Sequence, residues 1–139
     1  MSKSFGENID AIIIRTSIIG ETTKGISLVE WVKSNKNCTV DGYTRHIWNG
    51  ITCLQYAKIV DEIITRDLFW KGIRHIYSPN VISKANLVRL ISNVYNLNIT
   101  VNDTDTGICD RSLVSKHKSL FDIPEIEQQV IEMMRHKLT

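Results

Sequence analysis

What this sequence has little of narrows it first. Its 139 residues include two prolines and seven glycines, and no stretch gathers the glycines into a Gly-x-Gly-x-x-Gly or Walker-type loop. The chain therefore carries no phosphate cradle of a kind visible in sequence. The three cysteines, Cys38, Cys53 and Cys109, are odd in number and widely spaced, which suits reduced thiols rather than a disulfide framework. The four histidines, His46, His75, His117 and His136, lie far apart, and no His-x-x-x-His or Cys-x-x-Cys pair occurs, so no metal is expected. Asp103-x-Asp105-x-Gly107 matches a calcium loop only in outline: Gly107 stands where the third ligand belongs and Val114 where the bidentate Glu belongs. A Gly-x-Ser-x-Gly elbow is also missing. No apolar run approaches the roughly 18 residues of a spanning helix, and the amino terminus, MSKSFGENID, has no apolar signal core. No membrane partner is expected, and the cytoplasm is the default compartment. With 17 basic and 15 acidic residues spread along the chain, no polybasic tract points to nucleic acid. The Asn-x-Thr sequons at Asn37, Asn98 and Asn102 have no meaning without secretion.

What is present reads as a small α/β domain. A chain of this length can bury about 70% of its unfolded surface, enough for one core. Ala11 to Ile14 form an apolar, largely β-branched run between Asp10 and Arg15, expected to be a parallel strand buried on both faces. Ser27 can cap a helix over 28–34, with Glu30 completing a capping box. Cys38 to Val40 is a strand candidate, Asp41-Gly42 reads as a turn, and Trp48-Asn49-Gly50 as a loop. Leu54, Ala57, Ile59, Val60, Ile63 and Ile64 recur at helical spacing across 53–66. A strand is expected from Gly72, a second strong helix from Ser83, a strand over 97–101, a polar turn over 102–107 and a final helix opened by Pro124. Strands alternating with helices define the α/β class.

Few residues stand out as chemistry. Arg15, Thr16, Ser17 and Gly20 put small polar groups at the carboxyl end of the first strand, where open α/β sheets place ligands. Arg111 lies in the segment CDRSLVSKH, which also supplies Lys116, His117 and Lys118. A guanidinium can grip a diphosphate with two prongs, although exposure or pairing with Asp110 is the commoner use of such a residue. Trp48, beside a loop signal, could stack on a base or sugar ring, whereas Trp31 falls on the apolar side of a helix and reads as core. Asp61-Glu62 and Glu125-Ile-Glu127 are solvated helix faces.

The segments SKSFGE, IIIRTSIIGE, LVEWV, WNGIT, the helix ending Ala57-Lys-Ile-Val, SKANLVRLI and DRSL, in that order, resemble the carboxyl-terminal half of an extended short-chain dehydrogenase. More narrowly they are similar to the dTDP-4-dehydrorhamnose reductase group of NAD(P)-dependent sugar-nucleotide reductases and epimerases. The resemblance implies a Rossmann-like remnant over 1–25 followed by a substrate-binding region over 26–139, without the amino-terminal dinucleotide half. It implies that Lys3 is the counterpart of the lysine in the family's Tyr-x-x-x-Lys pair, where the tyrosine protonates the carbonyl and the lysine holds the nicotinamide ribose. Four residues before Lys3 falls ahead of Met1, so the resemblance brings the lysine without its tyrosine. Thr16, Ser17 and Ile18 would line the nicotinamide end of an NAD(P) site. Trp48, Asn49, Thr52 and Arg111 would face a nucleotide-diphosphate sugar. The expected function is the substrate-binding part of such a reductase, inactive and binding no cofactor by itself. The alternatives are one subunit of a split reductase whose partner chain supplies the amino-terminal half, or a non-catalytic nucleotide-sugar binder that self-associates through a sheet edge.

Overall fold

The computed structural model describes residues 12–21, 27–68, 70–105, 107–110, 112–113 and 121–136. Along them run β1 (Ile12–Arg15), β2 (Ile18–Ile19), α1 (Leu28–Ser34), β3 (Thr39–Tyr43), β4 (His46–Trp48), β5 (Ile51–Thr52) and α2 (Cys53–Thr65). There follow β6 (Gly72–His75), β7 (Ile82–Ser83), α3 (Lys84–Tyr95), β8 (Thr100–Thr104), β9 (Cys109–Asp110) and α4 (Ile126–Arg135). The strands pair β1 with β6, β2 with β5 and β3 with β8, all parallel. In a three-stranded sheet, β4 lies between antiparallel β7 and parallel β9. Parallel pairing through helical crossovers is what the alternating pattern predicts.

The helices begin where their caps dictate. Ser27 Oγ accepts from the Glu30 amide at 3.3 Å, Thr52 Oγ1 from Gln55 at 3.1 Å and Ser83 Oγ from Asn86 at 3.2 Å, each relieving an orphan amide of the first turn. Pro124 precedes α4, and the helix starts two residues later; Asn80 Oδ1 reaches in to accept from the Ile126 amide at 3.0 Å. The main core gathers Val29 and Val32 of α1, Leu87, Val88 and Ile91 of α3, and Ile126, Val130 and Met133 of α4 around Ile19 and Val40. A smaller cluster joins Ile59 and Ile63 of α2 to Ile51 and Ile76. No described helix is long and apolar enough to cross a membrane.

Three expectations need correction. First, β1 is not buried on both faces: Ile12, Ile13 and Ile14 are each half-buried. Ile12 and Ile14 pack on the smaller cluster, while the pleat turns Ile13, in register with Ile73, to the opposite face. Second, Asp41-Gly42 is not a turn but the middle of β3, and the turn comes at Thr44-Arg45. A Cβ at Gly42 would press into Val101 and come within 2.8 Å of Ala85 Cβ, so the glycine is there for the close approach of β3 to α3 and β8. Third, the strand expected over 97–101 lies three residues later, taking Asn102 to Thr104 out of the expected turn, because β8 pairs in register with the extended β3.

Candidate functional site

The residues just after β1 meet the last residue of β4 and the loop behind it. The Trp48 indole Nε1 donates to Ser17 Oγ at 2.7 Å, and the Ile51 amide donates to the Ser17 carbonyl at 2.9 Å. Gly50 makes this possible, since a Cβ there would collide with both the Ser17 carbonyl and the Trp48 ring. Beside this junction opens a cleft of about 410 Å³ lined by Ser17, Ile19, Leu28, His46, Ile47, Trp48, Lys84, Leu87 and Cys109. Its walls are apolar with a few convergent polar groups, the usual constitution of a small-molecule site.

Of the residues singled out in the sequence, Ser17 and Trp48 come together in this cleft. Thr16 lies directly before Ser17, and its hydroxyl is, among the described residues, the one buried side-chain polar atom without a hydrogen-bond partner. Ile18 is 43% exposed. Asn49, 4% exposed, holds the Leu113 backbone by both ends of its carboxamide, Nδ2 donating to the carbonyl at 2.9 Å and Oδ1 accepting from the amide at 2.7 Å. Thr52 is buried, its hydroxyl capping α2 and its amide donating to Gln129 Oε1 at 3.1 Å. Asn49 and Thr52 thus hold segments together behind the cleft. Lys3 and Arg111 lie outside the described residues.

A second, outer cleft of about 620 Å³ adjoins the first, the two sharing Leu28 and Lys84. Ser27, Trp31, Val40, Asp41 and Tyr43 complete it. Trp31, expected in the core, is instead 37% exposed here, because α1 turns Val29 and Val32 inward. The Tyr43 and His46 rings stack with centroids 4.6 Å apart and planes 19° from parallel, and Lys84 Nζ sits 5.5 Å from the Tyr43 centroid. Neither Tyr43, His46 nor Lys84 stood out in the sequence. One signal was available for Lys84: it is the first residue of a helix, where the macrodipole disfavours a cation.

Behind the clefts, burial pushes the Tyr95 phenol well above its usual range, reinforced by the hydrogen bond it donates to Glu21 and by the Glu21 charge. Lys33 lies over the same ring at 4.7 Å and pairs with Glu21 at 3.5 Å, tying the residue after Gly20 to α1 and α3. Hydrogen bonds from Ser112, side chain and then backbone, hold the Asp110 carboxyl below its usual range. Among the described residues no three His, Cys, Asp or Glu side chains gather as a metal site requires.

The α/β unit shares its fold with roughly the carboxyl-terminal half of solved structures of sugar-nucleotide reductases and epimerases. Three solved structures illustrate the likeness. A dTDP-4-dehydrorhamnose reductase from Bacillus anthracis, in complex with NADP, is 15% identical with a TM-score of 0.71, the match covering 89% of this chain and 47% of that one. A UDP-N-acetylglucosamine 4-epimerase from Methanobrevibacter ruminantium, in complex with UDP-N-acetylmuramic acid, is 16% identical with a TM-score of 0.62, covering 96% and 48%. A GDP-L-fucose synthetase from Naegleria fowleri, bound to NADP, is 14% identical with a TM-score of 0.59, covering 89% and 43%. The chain spans about half the length of the structures it matches. No protein-family profile and no curated protein sequence matches it.

Proposed function

We propose that this chain is the substrate-binding part of an NAD(P)-dependent sugar-nucleotide reductase and that it takes a nucleotide-diphosphate sugar in the cleft beside Ser17 and Trp48. The observation that carries the reading is the Trp48–Ser17 hydrogen bond at the edge of a 410 Å³ cleft, which fixes an aromatic face and a hydroxyl where two strands end. Trp48 packs on the ligand, and Arg111 meets its diphosphate. Asn49 and Thr52 serve the site as positioning residues, since their polar groups hold Leu113 and α2. Residues 26–139 form this substrate region, and 1–25 the remnant of a cofactor core.

Thr16, Ser17 and Ile18 form one wall for the nicotinamide end of NAD(P), and the unpartnered Thr16 hydroxyl is a group such a ligand would satisfy. The cofactor, when bound, supplies the hydride; Lys3 would hold its ribose. No glycine-rich loop for the pyrophosphate occurs in these 139 residues. On its own the chain therefore binds sugar nucleotide without turning it over. Calorimetric titration with dTDP-, UDP- and GDP-sugars, and NADPH absorbance in the presence of a dTDP-4-keto-6-deoxy sugar, test both halves of this. Saturable binding with constant absorbance is expected; steady NADPH consumption by the purified chain, or no binding of any nucleotide sugar, contradicts it.

A second reading is favoured by β1. Parallel strands are normally covered on both faces, yet Ile13 and Ile73 stay half-exposed. A separate chain bearing the cofactor half, or a second copy of this one, would cover them. Sedimentation of the pure chain separates the two: a dimer supports self-association, a monomer the split reductase.

A further inference from the structure

Two of the outer cleft's side chains carry charges that meet no opposite charge among the described residues, although Lys84 rests over the Tyr43 ring. Lys84 lines both clefts, and Asp41 lines the outer one; neither has an ion-pair partner among the described residues, and no ion pair joins them to each other. Lys84 thus stands at the waist between the clefts, with Ser17 and Trp48 on one side and Asp41, Trp31 and Tyr43 on the other. Stacking on His46 fixes the Tyr43 ring, and Trp31 keeps more than a third of its surface open as a platform for a planar group. A cation flanked by a sugar-sized pocket and an aromatic pocket suits a ligand with an anionic centre between two rings.

We infer that the outer cleft takes the base of a guanine nucleotide, Asp41 pairing with guanine N1–H and N2–H while Lys84 meets the diphosphate at the waist. The inference rests on the nucleotide-sugar reading above and goes past it by choosing the base. The choice follows from what a carboxylate can accept. Guanine presents two adjacent donors, matching the two carboxylate oxygens as a charge-assisted bidentate pair. Thymine and uracil present one N–H between two carbonyl oxygens, which repel a carboxylate. Adenine and cytosine each set a donor beside an acceptor lone pair, so the second carboxylate oxygen meets repulsion. The similar solved structures include proteins named for dTDP, UDP and GDP sugars, so the fold leaves the base open. Asp41 is the side chain in the cleft that discriminates.

The test is calorimetric titration of the intact chain, its Asp41→Asn variant and its Lys84→Met variant with GDP, UDP, dTDP and ADP, with circular dichroism confirming that each variant is folded. The wild-type chain should bind GDP at least about tenfold more tightly than the other three, the discrimination expected of a charge-assisted pair. Asp41→Asn should bring GDP to within about threefold of UDP, because the amide replaces one acceptor by a donor. Lys84→Met should weaken all the diphosphates by similar factors. UDP or dTDP binding as tightly as GDP to the wild-type chain, or a guanine preference that survives Asp41→Asn, overturns the inference while leaving the nucleotide-sugar reading standing. Failure of all four nucleotides and their sugars to bind overturns both.

Discussion

Both ends of the Asn49 carboxamide bind one residue 64 positions further along the chain, Nδ2 donating to the Leu113 carbonyl and Oδ1 accepting from the Leu113 amide. An amide side chain paired with one residue's backbone in both directions fixes position and orientation together. It secures the segment after β9, and hence Cys109 in the cleft wall, against the loop that follows Trp48. Asn49→Asp keeps the acceptor and loses the donor, setting a carboxylate against the Leu113 carbonyl. The expected cost is about 1–3 kcal/mol, the penalty for a buried group left unsatisfied, read as a lower urea midpoint. The introduced acid has a folded pKa raised above its unfolded one, so the loss should be largest at neutral pH and shrink as pH falls through that folded pKa. A loss that does not change with pH would contradict the two-way pairing.

Gln129 of α4, 1% exposed, connects three segments behind the site: Oε1 accepts from the Thr52 amide at 3.1 Å, and Nε2 donates to Ser78 Oγ and to the Pro124 carbonyl, each at 2.8 Å. Ser78 in turn donates to the Gly50 carbonyl. Gln129→Leu preserves volume and strands these partners, so it should destabilise the fold by about 2–4 kcal/mol, more than one ordinary hydrogen bond. A thermal midpoint within a degree or two of wild type would show that the network carries little.

Gly42→Ala should cost about 1–3 kcal/mol, the usual penalty of overpacking, because the new methyl meets Val101 and Ala85 between β3, β8 and α3. Ala85→Gly in the same chain should recover part of that loss by opening one side of the contact. No recovery in the double variant would place the strain elsewhere.

Lys58 of α2 donates to Glu132 of α4 at 2.6 Å, and this bond, with one from Gln128, holds the Glu132 carboxyl below its usual range. A depressed carboxyl pKa contributes stability that is present above the unfolded value and lost as pH falls through the folded one. The pair is solvent-accessible, so the contribution is small, about 0.2–1 kcal/mol. Glu132→Gln should lower the melting temperature slightly at pH 7 and not at all near pH 3, and salt should shrink the difference.

The helices were legible because their determinants are local. Ser27 and Ser83 begin helices in the sequence as they do in space, and Leu28 to Ser34 coincides with the predicted span. What escaped depends on approach between distant segments. Asp41-Gly42 carries a turn signature, but Ala85 and Val101, far along the chain, decide that it is strand. Lys84 could be placed on a helix, and nothing local shows that β3 and β4 bring Asp41, Tyr43 and His46 beside it. The polar positions after β1 read in the sequence as a ligand wall, and in the structure Ser17 lines a cleft; that Trp48 is the residue bonded to it is a tertiary fact.

The central claim, that a nucleotide-diphosphate sugar occupies the cleft beside Ser17 and Trp48, is tested most directly by the indole N–H signals of the intact chain in a proton–nitrogen correlation spectrum. The chain has three tryptophans. Trp48 donates into the site, whereas Trp70 donates to the Gly72 carbonyl and packs edge-on against Phe121, away from it. Assignment by Trp48→Phe and Trp70→Phe fixes the two signals. On titration with a nucleotide-diphosphate sugar, the Trp48 indole signal should move saturably while that of Trp70 stays in place. Binding detected by calorimetry with an unmoved Trp48 signal, or a shift confined to Trp70, would contradict the account.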